Sequence, residues 1–345
     1  MSKRNIYFFQ WPSDLGGADT RLKNLLQAFS ESGLYNLTCI PNDDSRLTEK
    51  ENVEFLKKLG VNSLNWDSLP EKDDGIAISF CNFRLFSEDW RVKKIKSIGL
   101  KFIWSNDMMW RTPEENRAIE NGLVDVSIYT GPKHYQDTSS PDTKNHIEYI
   151  VPNYFHFSNF EKRPSKKIND KFTIGKHSRP DKMKFSDNFP LFYQNLDLKN
   201  PKFRVMGISN EFRDYFSWFN FDKELWDLIE PNGESTNDFI SSLDCYVYNS
   251  HYKFTETQCR ATIESMLLGV PVIAPNKDNF INQIWHGKTG LLYQKYQDVK
   301  NYAKLLEDNK DFRLEVGEFG RLVSKRIWCD AEKHIKIWEE LFTKL

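Results

Sequence analysis

The chain is short of most features that would place a protein at a glance. Five cysteines (Cys39, Cys81, Cys245, Cys259 and Cys329) are scattered without a C-x-x-C pair. A disulfide scaffold or a thiolate zinc site is therefore disfavoured, and reduced thiols in a cytosol fit better. The seven histidines never fall in H-x-x-x-H spacing and no D-x-D occurs, so the expectation is no metal. No run approaches the ~18 apolar residues of a membrane span. The opening MSKRNIYFFQWPSD has a basic pair, but Pro12 cuts its apolar stretch too early for a secretory leader, and a cytoplasmic location is expected. Charge of one sign is missing too: 48 basic and 49 acidic side chains leave a formal charge of -1, so no global field draws the protein to nucleic acid. There is no G-x-G-x-x-G, and with it goes support for nicotinamide binding.

What is present is the material of two α/β domains. The 345 residues suit about two domains, and 39% hydrophobic with 28% charged residues is an ordinary soluble balance. Residues 5–11 (NIYFFQW) form a short apolar run ended by Pro12, a buried strand. The loop PSDLGGA leads into residues 20–31, where Leu22, Leu25, Leu26 and Phe29 recur at helical spacing until Gly33. Strands are predicted at 34–40, 75–80, 100–105 and 124–130, with helices at 88–98 and 113–121 between them. Such alternation indicates a parallel sheet covered on both faces. The pattern restarts after residues 147–155 (IEYIVPNYF) and the basic stretch EKRPSKKINDK. Strands follow at 172–175, 203–207, 245–249 and 270–275, with helices at 237–243 and 259–268. Residues 330–345 place Ile335, Ile337, Trp338, Leu341 and Phe342 mostly on one face, which must pack somewhere.

The chemistry is concentrated in residues 243–293. A strand ends at Asn249, a polar loop follows, a helix begins near Thr257 or Gln258, and Gly269 closes it before VPVIAP. Ligands of open α/β sheets sit beyond the carboxyl ends of strands, and helix N-termini there bind anions. The amides of Gln258, Cys259 and Arg260 are thus candidates to hold phosphate. Glu256 and Glu264 stand eight positions apart, ~12 Å along a helix axis, a poor match for the close carboxylates of a glycosidase. A division of labour suits them better, with Glu256 beside a reacting group and Glu264 facing a hydroxyl-rich part of a ligand. From these two residues alone, solvated surface carboxylates are the commoner reading.

Context adds to this. Asp244, Asn249, Ser250, Glu256, Glu264, Ser265, Met266, Gly269, Pro271, Val272, Ile273 and Ala274, followed by Gly287, Thr289, Gly290, Leu291 and Leu292, match in order the donor-binding core of family 4 glycosyltransferases. The chain therefore resembles the GT-B type: two Rossmann-like domains facing each other across a cleft. Upstream, Gly175-Lys176-His177-Ser178-Arg179-Pro180-Asp181-Lys182-Met183-Lys184 resembles the family's strand-end G-R with a following Lys. Gly16-Gly17-Ala18, opening the first helix, resembles its glycine loop. Two departures stand out. Thr257-Gln258-Cys259 replaces the frequent G-F-G after the first Glu, and Asn106, followed by Asp107, stands where a His is common.

The resemblance implies a retaining, metal-independent glycosyltransferase with no cofactor beyond its nucleotide-diphosphate-sugar co-substrate. Residues 1–155 would form the acceptor-side domain and 156–329 the donor-binding domain, with the helix at 330–345 packing back on the first. Gly16, Gly17, Lys176, Arg179, Lys182, Lys184, Gln258, Cys259 and Arg260 would meet the diphosphate. Glu264 and Ile229 would meet the ribose and base. Glu256 would contact the transferred sugar, with Asp107 and Asn106 as further catalytic candidates. A glycan or lipid-linked acceptor in surface-glycan assembly ranks first. Basic segments at 91–101 (five Lys/Arg, no acids) and 162–184 (nine against two) also suit peripheral contact with an inner membrane face. They equally suit DNA, as for a phage enzyme acting on hydroxymethylated bases in a host cytosol. An inactive nucleotide-sugar-binding module is the alternative of another class.

Overall fold

A computed structural model describes residues 3–13, 16–139, 146–161 and 171–345. The chain divides into two units, Met1–His156 with Trp328–Leu345, and Phe157–Ile327. The first is built on seven parallel strands: β1 (Arg4–Phe8), β2 (Tyr35–Cys39), β3 (Asn62–Ser63), β4 (Ile76–Phe80), β5 (Lys101–Ser105), β6 (Val126–Tyr129) and β7 (Ile147–Ile150), in the order 3-2-1-4-5-6-7. All five residues of β4, IAISF, are buried, as expected where helices cover both faces of a parallel sheet. One face packs on the helix Gly17–Ser32, whose Leu22, Leu25, Leu26 and Phe29 are buried. The same core takes Trp338, Leu341 and Phe342 of the helix Ala331–Phe342, with Trp338 edge-on to Phe29 at 5.6 Å between ring centres.

The second unit has six parallel strands: β8 (Phe172–His177), β9 (Pro201–Met206), β10 (Trp226–Ile229), β11 (Cys245–Val247), β12 (Val272–Pro275) and β13 (Leu291–Tyr293), in the order 10-9-8-11-12-13. Each sheet reverses its winding once, between β1 and β4 in the first and between β8 and β11 in the second. Two Rossmann-like units in one chain are the composition of the GT-B fold, as the sequence predicts.

Two elements differ from expectation. The helix predicted over 88–98 is present as Trp90–Ile98, and a separate short helix, Arg84–Ser87, precedes it because the Glu88 backbone leaves the helical region. Its carboxylate there receives Arg84 at 3.2 Å and Arg91 at 2.9 Å. The helix predicted to start at Thr257 or Gln258 begins at Arg260. The Thr257 carbonyl is taken by the Asn279 side chain instead of an intrahelical amide.

Candidate functional site

Where a parallel sheet reverses its winding, the loops leaving the two central strands part and open a crevice at their carboxyl ends. In the second unit those loops are residues 178–184, after β8, and 248–259, after β11. Their path is set by backbone contact. Gly207, at φ +105°, lies so close to the Ser178 carbonyl that a Cβ would overlap it. Both the positive φ and the close approach require glycine here. Ser178 N donates to Met206 O at 3.1 Å, and the chain turns off β8 with Arg179 exposed.

The two loops are laced together. Lys184 Nζ lies 2.6 Å from Glu256 Oε1, and Tyr248 donates its hydroxyl to the same oxygen. Asn249 Nδ2 donates to Ser186 Oγ at 3.0 Å, and His251 N donates to Met183 O at 3.2 Å. Glu256 is only 7% exposed, so its charge acts in a medium of low dielectric where the Lys184 ammonium counts heavily. Burial, then the neighbouring Glu256 charge, holds the Tyr248 hydroxyl well above its ordinary pKa. Tyr248 is therefore a fixed donor to Glu256 at neutral pH. On the helix Arg260–Leu267, Glu264 meets Arg260 Nη2 at 3.2 Å and His177 Nε2 at 3.8 Å. Burial depresses the His177 pKa against the opposing pull of Glu264. Its Nδ1 has no hydrogen-bond partner among the described residues.

Other candidates are placed differently. Lys176 was expected at a phosphate, yet it is fully buried between Phe185 and Tyr248 and points inward. Lys182 is exposed, with its ammonium 4.6 Å from the centre of the Tyr215 ring. Gln258 and Cys259 are buried. Ile229 ends the edge strand β10, and its carbonyl accepts from Gly207 N and Ile208 N at 2.9 and 3.1 Å.

In the first unit, Gly16 has extended backbone with open space where a Cβ would sit. No described residue around it demands glycine. It caps the helix Gly17–Ser32, which carries Arg21 inward. Arg21 Nη1 lies 2.5 Å from Asp107 Oδ1 and donates to Ser105 Oγ at 2.8 Å, while Nη2 donates to Val151 O at 3.2 Å. Asn106 spends its side chain within its own loop: Nδ2 donates to Trp110 O and Glu115 Oε2 at 2.6 and 2.8 Å, and Oδ1 accepts from Met108 N at 3.1 Å. His134 Nε2 reaches Met108 O at 3.1 Å, and its Nδ1 accepts from Thr130 N at 3.2 Å. A small cavity lined by Trp104, Asn106, Arg111, Glu115 and Tyr129 lies at this end of β5 and β6.

Sequence reasoning missed Arg21, His134, His177 and Tyr248 as members of these groups. Arg21 carried a signal, a cation directly beside the apolar series Leu22, Leu25 and Leu26. The basic segment at 91–101 is largely neutralised by neighbours: Arg91 by Glu88 at 2.9 Å, Lys93 by Asp89 at 2.6 Å and Lys96 by Asp125 at 2.5 Å. Of the segment at 162–184, residues 162–170 lie outside the described residues. Among the described residues no cluster of three His, Cys, Asp or Glu is arranged for a metal ion, and no helix is long and apolar enough to cross a membrane.

The family model for "Glycosyl transferases group 1" matches residues 160–323. No curated protein sequence matches the chain. Anabaena Alr3699/HepE in complex with UDP and glucose is a similar solved structure, with a TM-score of 0.76 at 11% identity over 100% of both chains. A glycosyltransferase from Rickettsia africae ESF-5 gives 0.76 at 12% identity over 99% of each chain. The lipopolysaccharide outer core galactosyltransferase WaaB, in its apo form, gives 0.63 at 13% identity over 99% of this chain and 100% of its own. At such identities the likeness establishes the fold.

Proposed function

We propose that this chain is a retaining glycosyltransferase of the family 4 type, moving a sugar from a nucleotide-diphosphate-sugar to an acceptor hydroxyl in surface-glycan assembly. The observation that carries the reading is the Lys184–Glu256 pair at the winding reversal of the second sheet, 2.6 Å apart, with Arg179 exposed on the same loop after β8. The family match over residues 160–323 supports the same unit as the donor domain. Residues 1–155 then serve the acceptor.

In this reading Arg179 and Lys184 neutralise the diphosphate as it departs, an electrostatic task for which Arg supplies a fork and Lys a point charge. Glu256 takes a hydroxyl of the transferred sugar, and Glu264, held by Arg260, takes the ribose. The acceptor oxygen bonds to the anomeric carbon on the face from which the diphosphate leaves. The anomeric carbon–phosphate oxygen bond breaks, and the acceptor proton passes to the departing phosphate oxygen. No side-chain nucleophile and no metal ion are needed for that sequence.

HepE was solved with UDP and glucose, which makes UDP-glucose the first donor to test. WaaB is a lipopolysaccharide galactosyltransferase by description, which favours a glycan acceptor. The neutralised helix Trp90–Ile98 removes one support for DNA as acceptor. The test is nucleotide release from UDP, GDP, ADP and dTDP sugars, with wild type, Arg179→Ala and Glu256→Ala. Release from one donor that falls at least ~100-fold in both variants is the expected result. Binding without turnover, unchanged in Glu256→Ala, would replace the enzyme with a nucleotide-sugar-binding module.

A further inference from the structure

Lys176 is the basic site candidate that the fold encloses completely. It is 0% exposed. Its ammonium donates to the carbonyls of Lys184 and Asn249, both at 2.5 Å. One amine thus ties the loop that carries Lys184 to the end of the strand that leads to Glu256. Its walls are aromatic, with Phe185 at 4.5 Å and Tyr248 at 5.0 Å from Nζ to the ring centre. The titratable groups that act on it are Lys184 and Glu256 from the two loops and the Cys259 thiol just before the helix Arg260–Leu267, its own pKa pushed up to about 12 by burial. His177, its chain neighbour, feels its charge in turn. Glu256 is already engaged by Lys184 and Tyr248. Among the described residues Lys176 pairs with no carboxylate, and the Lys184 ammonium adds a second positive charge nearby.

We infer that Lys176 is the positioning residue of this site and that it takes up a proton when a nucleotide diphosphate binds. The inference rests on the donor-site reading above. A buried amine between two aromatic faces is costly to charge, and a second cation close by raises that cost. These two effects, burial first and Lys184 second, push its pKa down to about 7. A diphosphate brings negative charge to the Lys184 side of the cluster and reverses the balance. The protonated amine then grips both carbonyls and holds the Lys184 and Glu256 loops in register. Above neutral pH the bound state holds a proton that the free state lacks, so affinity falls as pH rises, by up to about tenfold per pH unit.

The test is calorimetric titration of the full chain with UDP-glucose, whose phosphates do not titrate near neutrality, in buffers of different ionisation enthalpy at about pH 8. Wild type should take up most of a proton per ligand, and Lys176→Met should take up little and bind more weakly. Equal proton uptake in both proteins overturns the inference. If Lys176→Met does not fold, the wild-type Kd decides: a rise of several-fold per pH unit above about pH 7 supports the inference, and a flat profile overturns it. Failure of UDP-glucose and the other diphosphate sugars to bind at any pH overturns the donor-site reading, and the inference falls with it. Lys176→Arg, which cannot lose its charge, should restore positioning while abolishing the pH slope.

Discussion

Lys184 Nζ and Glu256 Oε1, 72 positions apart in the chain, meet at 2.6 Å with side chains 17% and 9% exposed. Breaking such a buried pair by removing one partner leaves the other charge uncompensated, at a cost of about 3–5 kcal/mol. Glu256→Gln should lower stability by something near that range in denaturant unfolding. Adding Lys184→Met should recover part of it. On the donor-site reading proposed above, turnover should not recover, because both groups would act on the donor. Recovery of turnover in the double variant would show that the pair is only a clasp.

The Arg21–Asp107 pair gives a geometric prediction. Arg21 reaches Asp107, Ser105 and the Val151 carbonyl at once, which a lysine point charge cannot reproduce. Arg21→Lys should therefore destabilise the protein by about 2 kcal/mol or more. The loss should be nearly as large as for Arg21→Met, read by the denaturation midpoint at constant slope.

Acid should unfold the first unit early. Burial pushes the His134 pKa down to about 4 and that of His334 down to about 3. His134 Nδ1 accepts from Thr130 N, and His334 Nε2 accepts from Trp338 Nε1, so protonating either ring sets a proton against a donor. The unfolded chain binds these protons near pH 6.5 and the folded chain does not. Stability from both rings is thus complete above about pH 6.5 and is lost as pH falls toward 4 and below. His134→Gln with His334→Gln should flatten that slope in urea melts taken at stepped pH.

Gly207→Ala should cost about 2–4 kcal/mol, since it combines an unfavourable backbone region with overlap on the Ser178 carbonyl. Its Kd for a nucleotide sugar should weaken as well, because the displaced turn carries Arg179. A stability loss with unchanged Kd would separate the turn from the donor site.

Trp338 is 1% exposed in the core of the first unit. Trp338→Ala should cost about 3–5 kcal/mol, detected as a lowered Tm. Among the described residues, the core around Phe203 and Trp226 in the second unit contains none of this helix.

Much of this fold was legible because buried parallel strands leave apolar runs that turn signals interrupt. The strand predicted at 100–105 is β5, Lys101–Ser105, and the one at 75–80 is β4, Ile76–Phe80. The two-residue β3, Asn62–Ser63, was missed, since two residues are too few to show a period. Site residues were legible as types along one stretch, not as partners. Glu256 and Glu264 stood out by motif, whereas Tyr248 looked like one more apolar strand residue. The inward turn of Lys176 depends on Phe185 and on carbonyls 8 and 73 positions away, and sequence spacing carries no trace of that.

The division of the chain has a consequence for synthesis on the ribosome. The first unit is made of Met1–His156 and Trp328–Leu345, with Phe157–Ile327 between them. Phe29 therefore emerges about three hundred residues before Trp338 and Phe342, the rings it packs against. At roughly 5–20 residues per second that is a wait of some tens of seconds. During it the second unit can fold to completion while the first keeps an apolar face open. A chaperone that binds nascent apolar surface should therefore occupy the first unit, and leave it only when the final helix arrives.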